Sequence, residues 1–175
     1  MRRRIFCAVM VLVMAAAMGF FFLLPSAGAE EVAAFPLNSM DGVITRDGVS
    51  FDPAISSDGK GSLRIDAAGP RVVRLFEVTG LDIDNARLIY QARIRTKDVN
   101  GQVYLEMWLR FPGKGEFFSR GLQDALSGTN EWSSVETPFF LKKGEKPDLA
   151  KLNVVIKGAG TVWIDDVKLV KSPLE

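Results

Sequence analysis

The chain has 175 residues, 47% of them apolar, with 22 basic and 21 acidic side chains, one cysteine and no histidine. That length and apolar content suit one folded domain with a sizeable core. A near-neutral charge offers nothing to a phosphate backbone, so nucleic acid is not an expected partner; without histidine there is no Ser-His-Asp triad and no ordinary zinc or haem site, which leaves carboxylate chemistry, an oxygen-ligated metal, or no chemistry at all.

Met1-Arg2-Arg3-Arg4 is a basic leader, Ile5 to Leu24 is an apolar run, and Pro25-Ser26-Ala27-Gly28-Ala29 ends in the small-x-small pattern that a signal peptidase cuts. The expectation is a signal peptide over residues 1–29 and a mature chain starting at Glu30. The alternative is an uncleaved membrane anchor over residues 5–24, close to the ~20 residues that span a bilayer. In both cases the domain is exported, to the periplasm or outside the cell, and meets a membrane only through this segment. Arg3-Arg4 resembles the twin-arginine export signal, but the strongly apolar run fits ordinary secretion better. Cleavage removes Cys7 and three arginines, leaving 19 basic against 21 acidic residues and no thiol for a disulfide or a nucleophile.

Residues 30–42 read as an N-terminal arm, followed by short apolar fragments at Val43-Ile44 and Val49 to Phe51. Ser56 to Gly61 is a loop by composition, and Ser62 to Ala67 alternates as a strand with Leu63, Ile65 and Ala67 inward. Arg71 to Val78, bounded by Gly69-Pro70 and Gly80, is a further strand. Leu88 to Phe111 reads as a hairpin about a type I′ Asn100-Gly101 turn, which sets Thr96 opposite Leu105, Ile94 opposite Met107, Ala92 opposite Leu109 and Tyr90 opposite Phe111 on a core face. The outer face of that hairpin then pairs Arg95 with Glu106, Arg93 with Trp108 and Gln91 with Arg110, next to Tyr104. Glu116 to Ser119 is a short aromatic run, with Phe117 and Phe118 expected as core plugs. A turn of helix is expected within Gly121 to Ser127.

Trp132 to Leu141 is another strand, on an edge or bulged because Pro138 cannot donate to a ladder. The last two strands read as a second hairpin about Gly158-Ala159-Gly160, with Ile156 opposite Val162 and Val154 opposite Ile164. Val167 and Leu169 keep the core face only if one residue is absorbed at Asp165-Asp166, which predicts a β-bulge there. No mature stretch holds helical apolar spacing over three turns.

Gly160-Thr161-Val162-Trp163-Ile164-Asp165-Asp166-Val167-Lys168-Leu169 resembles the final strand of galactose-binding-like jelly rolls, especially the xylan- and glucan-binding modules of secreted polysaccharide-degrading enzymes. Ser57-Asp58-Gly59-Lys60-Gly61-Ser62-Leu63 is similar to the entry of an early strand of those modules, and Trp132 with Pro138-Phe139 to their penultimate segment. The resemblance runs from about Phe35 onward and implies an all-β fold, a two-sheet antiparallel β-sandwich of about eight strands over residues 43–175. It implies a non-catalytic carbohydrate-binding module working through an exposed sheet face, with an oligo- or polysaccharide as partner. The alternative is an exported structural domain that docks an envelope protein, and the third reading is a carboxylate-dependent enzyme acting on polysaccharide.

On the expected outer face, Trp108 would stack on a sugar ring and Tyr104 would give a second platform roughly 7 Å along the strand. Glu106, Arg93, Gln91 and Arg95 would hydrogen-bond hydroxyls or an acidic sugar's carboxylate. As a plain surface, the same residues form a cross-strand Arg95-Glu106 pair and an Arg93-Trp108 cation–π contact. Glu106 as a catalytic acid needs a second carboxylate within ~5 to 10 Å, where the expected register puts Arg95, so no catalytic residue is assigned. No cofactor is required; a structural calcium ion is a candidate, with Asp165 its best ligand.

Overall fold

The computed structural model describes residues 28–174; the expected leader up to residue 27, with Cys7 and the apolar run 5–24, lies outside the described residues. Nine strands follow one another: β1 (Glu30–Phe35), β2 (Val49–Asp52), β3 (Ser62–Ala67), β4 (Arg71–Thr79), β5 (Ala86–Phe111), β6 (Gly115–Arg120), β7 (Leu126–Leu141), β8 (Leu149–Ile156) and β9 (Gly160–Pro173). One turn of 3-10 helix, Leu122–Asp124, sits between β6 and β7. The all-β sandwich read from the sequence is what forms, with nine strands against about eight. The segment 30–42 carries β1, which pairs with β9 from Glu30↔Lys171 to Phe35↔Val167.

All pairing is antiparallel, and the 26-residue β5 organises it. Its first half lies between β7 and β9, with β3 and β2 beyond β9. Its second half lies between β6 and β8, with β4 beyond β8. The two halves belong to two layers, and the chain passes from one layer to the other near Asp98, which takes a left-handed φ of 54°. Between the layers lies one core. Tyr90, Ala92, Ile94 and Thr96 face it from one side and Leu105, Met107, Leu109 and Phe111 from the other, all buried as the alternation requires.

The expected hairpins do not form. No pairing joins Ile94 to Met107 or Arg95 to Glu106; instead Met107 pairs with Leu152 and Ile94 with Ile164. Gly158-Ala159-Gly160 likewise carries the chain between layers, because β8 and β9 each pair with a different half of β5. A type I′ turn needs positive φ at both central residues, and Asn100 does not have it. Residues 100–102 instead hydrogen-bond the other crossing: Asn100 N to Ala159 O (3.0 Å), and Lys157 N to Gln102 O (2.8 Å).

The bulge is where the sequence put it. Gln91 pairs with Lys168 and Arg93 with Asp165, so two residues of β9, Asp166 and Val167, oppose Ala92 alone. Asp166 absorbs the irregularity at φ 49°, and Val167 and Leu169 keep their core positions. β7 is an edge strand that pairs only with β5, the kind of strand in which a proline such as Pro138, opposite Ile89, is tolerated.

The loop after β2 is fastened over the outside of β9. Asp52 accepts hydrogen bonds from Trp163 Nε1 (2.9 Å) and from the Ala54 and Ile55 amides. The indole bond, more than any other cause, holds the Asp52 carboxyl below its ordinary range; the Arg64 guanidinium does the same for Asp66, and Arg110 for Asp148. A carboxylate whose folded pKa lies below its unfolded value of about 3.9 stabilises the fold above that pH and loses the contribution as pH falls through the folded value. Thermal melts should therefore give a melting temperature that drops only below about pH 4, and Asp52→Asn should flatten part of that drop. An unchanged acid limb in Asp52→Asn would show that the indole contact has no linkage to folding.

Candidate functional site

Because β5 crosses between layers, its two rows of outward side chains lie on opposite faces of the sandwich. Gln91, Arg93 and Arg95 point out of the layer of β9 and β7; Tyr104, Glu106 and Trp108 point out of the layer of β6, β8 and β4. The six residues expected on one face are thus split three and three, a correction that follows directly from the lost hairpin.

The second of these faces is the better built. Its central row runs Arg120 on β6, Glu106 on β5, Asn153 on β8 and Arg74 on β4; the next runs Phe118, Trp108, Lys151 and Glu77. Glu106 and Asn153 point outward yet are only 5% and 6% exposed. Exposed side chains on the flanking strands, Phe118 and Arg120 on one side and Val72 and Arg74 on the other, border them, so the pair forms the floor of a trough.

Glu106 holds that floor together. Its Oε1 accepts from Trp108 Nε1 (2.8 Å) and, at 3.4 Å, from Asn153 Nδ2, while Oε2 accepts from Arg120 Nε at 2.7 Å. The carboxylate bond keeps the Arg120 guanidinium protonated well above its ordinary range. Arg120 also lies over the Phe118 ring, 4.4 Å from its centroid, and Phe118 meets Trp108 with centroids 4.9 Å apart. The half-buried indole and the Phe118 ring, 49% exposed, make an apolar strip beside a row of acceptors and donors. One acceptor has no partner: Asn153 Oδ1 is buried and unbonded. The remaining carboxylates of the face are ion-paired, Glu116 with Lys151 (2.6 Å) and Glu77 with Arg74 (2.8 Å).

Several expected contacts are replaced. Glu106 pairs with Arg120 and not Arg95, which instead reaches Glu131 at 3.1 Å. Trp108 meets Phe118 and not Arg93. Tyr104 is 3% exposed, which removes it as a second platform. Phe117, expected in the core, is 49% exposed, since edge strand β6 has solvent along much of its length. Gln91 donates to Glu136 at 2.9 Å on the opposite face. Asp165 is buried there, with Oδ2 accepting from the Ser57 amide (2.9 Å) and hydroxyl (2.7 Å) and Oδ1 from the Asp166 amide (2.8 Å). N–H and O–H donors on both oxygens do not fit a cation as these side chains stand, and among the described residues no three acidic side chains gather where a metal could sit.

Arg120 and Asn153 were not singled out from the sequence. Arg120 lies 14 residues beyond Glu106 across the β5-β6 turn, a separation with no signal of its own. Asn153, which with Lys151 interrupts the otherwise apolar stretch Leu149 to Ile156, did carry one.

No known family profile matches the chain, and no curated protein matches it. Solved structures do. The CBM22-1 xylan-binding domain of Paenibacillus barcinonensis Xyn10C superposes with a TM-score of 0.55 at 12% identity, over 85% of this chain and 96% of that one. The CBM22-1-CBM22-2 tandem of the same protein gives 0.59 at 11% identity over 86% of this chain and 47% of the tandem. A structure titled Family 16 Carbohydrate Binding Module-2 gives 0.54 at 14% identity over 75% and 92%. At such identities the likeness establishes the jelly-roll fold of carbohydrate-binding modules, and the ligand has to be argued from the site.

Proposed function

We propose that this protein is an exported, non-catalytic carbohydrate-binding module whose ligand lies along the outer face of β6, β5, β8 and β4. The observation that carries this reading is the trough floor: Glu106 and Asn153 point outward while buried, with an unbonded amide oxygen beside a half-exposed indole. A pyranose ring presents apolar C–H groups on its face and hydroxyls at its rim. The Trp108–Phe118 strip suits the first, and Asn153 Oδ1, Glu106 and Arg120 suit the second. Among the described residues this face offers catalysis no second free carboxylate, because Glu116 and Glu77 are each ion-paired.

One of the similar structures is a xylan-binding domain and another was solved with xylohexaose, which makes xylohexaose the first probe for this chain. A shallow trough leaves much of a sugar in water, so titration should give a dissociation constant of ~10 μM to 1 mM, about −7 to −4 kcal/mol. A glycan array covering neutral β-linked polysaccharides on which nothing binds would sink this reading and favour a protein partner on the same face.

A calcium ion at Asp165 belongs to the proposal only as a structural element, and it would have to displace the Ser57 donors from the carboxylate. If it binds the folded state, millimolar calcium must raise the melting temperature and a chelator must lower it. No shift in either direction removes the ion.

A further inference from the structure

The opposite face holds a second recess, of about 410 Å³, along the first half of β5. Its centre is Arg93, set between Ser134 on β7 and Asp165 on β9. The nearby cations are occupied: Lys168 pairs with Asp166 (3.0 Å), and Arg95 with Glu131. Arg93 is different. Its guanidinium has no hydrogen bond or ion pair among the described residues, and its Nε is buried. The carboxylate directly across the ladder, Asp165, is committed to Ser57 and to the Asp166 amide. A half-buried guanidinium without an acceptor is costly unless something supplies one, and its planar fork matches a carboxylate.

The rim narrows the chemistry. Glu136, Asp166 and Asp124 also line the recess, and ionised carboxylates only accept hydrogen bonds, so they call for hydroxyl donors on the ligand. With Asp166 paired to Lys168, which also lines the recess, two uncompensated carboxylates face one free guanidinium, a balance that disfavours a multiply charged phosphate or sulfate and admits at most a single negative charge. The only apolar lining comes from Ala92 and Val135, too little to hold an apolar side chain. We infer that this recess is a second binding site, for a uronic acid residue of an acidic polysaccharide, with Arg93 gripping the sugar carboxylate and the rim carboxylates accepting from its hydroxyls. It stands on its own geometry, on the face away from Trp108.

The test is a titration of the isotope-labelled protein with trigalacturonate, read from backbone amide shifts. The amides of Gln91, Arg93 and Ser134 should move. Arg93→Gln should weaken binding at least ~10-fold, and fully methyl-esterified trigalacturonate should bind the unaltered protein at least ~10-fold more weakly than the free acid, a comparison that holds even if the variant fails to fold. Trp108→Ala should leave trigalacturonate binding intact, and xylohexaose should move amides on the other face, so failure at one face is distinguishable from failure at the other. Equal binding of acid and ester overturns the proposal. So does an aspartate-rich peptide that moves the same amides at lower concentration than trigalacturonate, or acetate alone that moves them as strongly as the trisaccharide does.

Discussion

Trp108→Ala should cut affinity for xylohexaose by about 100-fold, the scale of a buried aromatic anchor, or ~2.7 kcal/mol. The indole is the broadest apolar surface in the trough, and its N–H is one of the three donors that orient Glu106. Without it, Oε1 keeps only the long 3.4 Å contact from Asn153, so the variant loses the stacking surface and loosens the hydroxyl-binding carboxylate together. Stability should fall by only about 1 to 2 kcal/mol, since the ring is half-buried and packs on an exposed Phe118. Trp108→Phe separates the two contributions, keeping a stacking ring and removing the donor, and should bind between the other two. Unchanged binding together with a large loss of stability would make Trp108 a packing residue and move the ligand off this face.

Gly158→Ala should destabilise the protein by about 2 to 3 kcal/mol in denaturant unfolding, with an unchanged slope. A methyl group on Gly158 would sit 2.0 Å from the Asn100 carbonyl oxygen and 2.6 Å from its side-chain oxygen. Neither can simply swing away. Asn100 N donates to Ala159 O, and Asn100 Oδ1 accepts from the Ala159 amide. The φ of Gly158 is not left-handed, so the cost is crowding and not backbone strain. Gly69→Ala is the matched control: nothing lies within 4 Å of its added carbon, and its stability should change by less than about 0.5 kcal/mol. Equal stability for the two variants would mean that the two layer crossings do not touch in solution.

Those crossings also mark the limit of what the sequence discloses. Alternation of period two states which face a side chain takes, and every core residue assigned to β5, from Tyr90 to Phe111, is buried. It does not state which strand lies alongside. Residues inward on two facing layers and residues inward on one hairpin have the same pattern, so Asn100-Gly101 and Gly158-Ala159-Gly160 read as turns when each is a passage between layers. The Asp165-Asp166 bulge was legible because there the alternation itself breaks. The trough was legible only in part: Trp108 and Glu106 are in it, but Asn153, Arg120 and Phe118 join through pairings that loop lengths alone do not reveal. Tyr104 failed as a platform for a related reason, since outward is not the same as exposed on a sheet whose flanking strands carry large side chains.

The passage of β5 through both layers also bears on how the chain reaches this structure. The usual early event in a β protein, closure of a hairpin between neighbours in sequence, is open to β5 only at its far end, where Phe111 pairs with Gly115 of β6. Ile94 must find Ile164 and Met107 must find Leu152, across tens of intervening residues. Entropy is therefore spent on long loops before the ladders that offset it exist, which places assembly in the millisecond-to-second range of β-sandwiches. Neither layer can be completed ahead of the other, because each lacks its middle strand until β5 is in place, so the two should appear, and melt, in a single step.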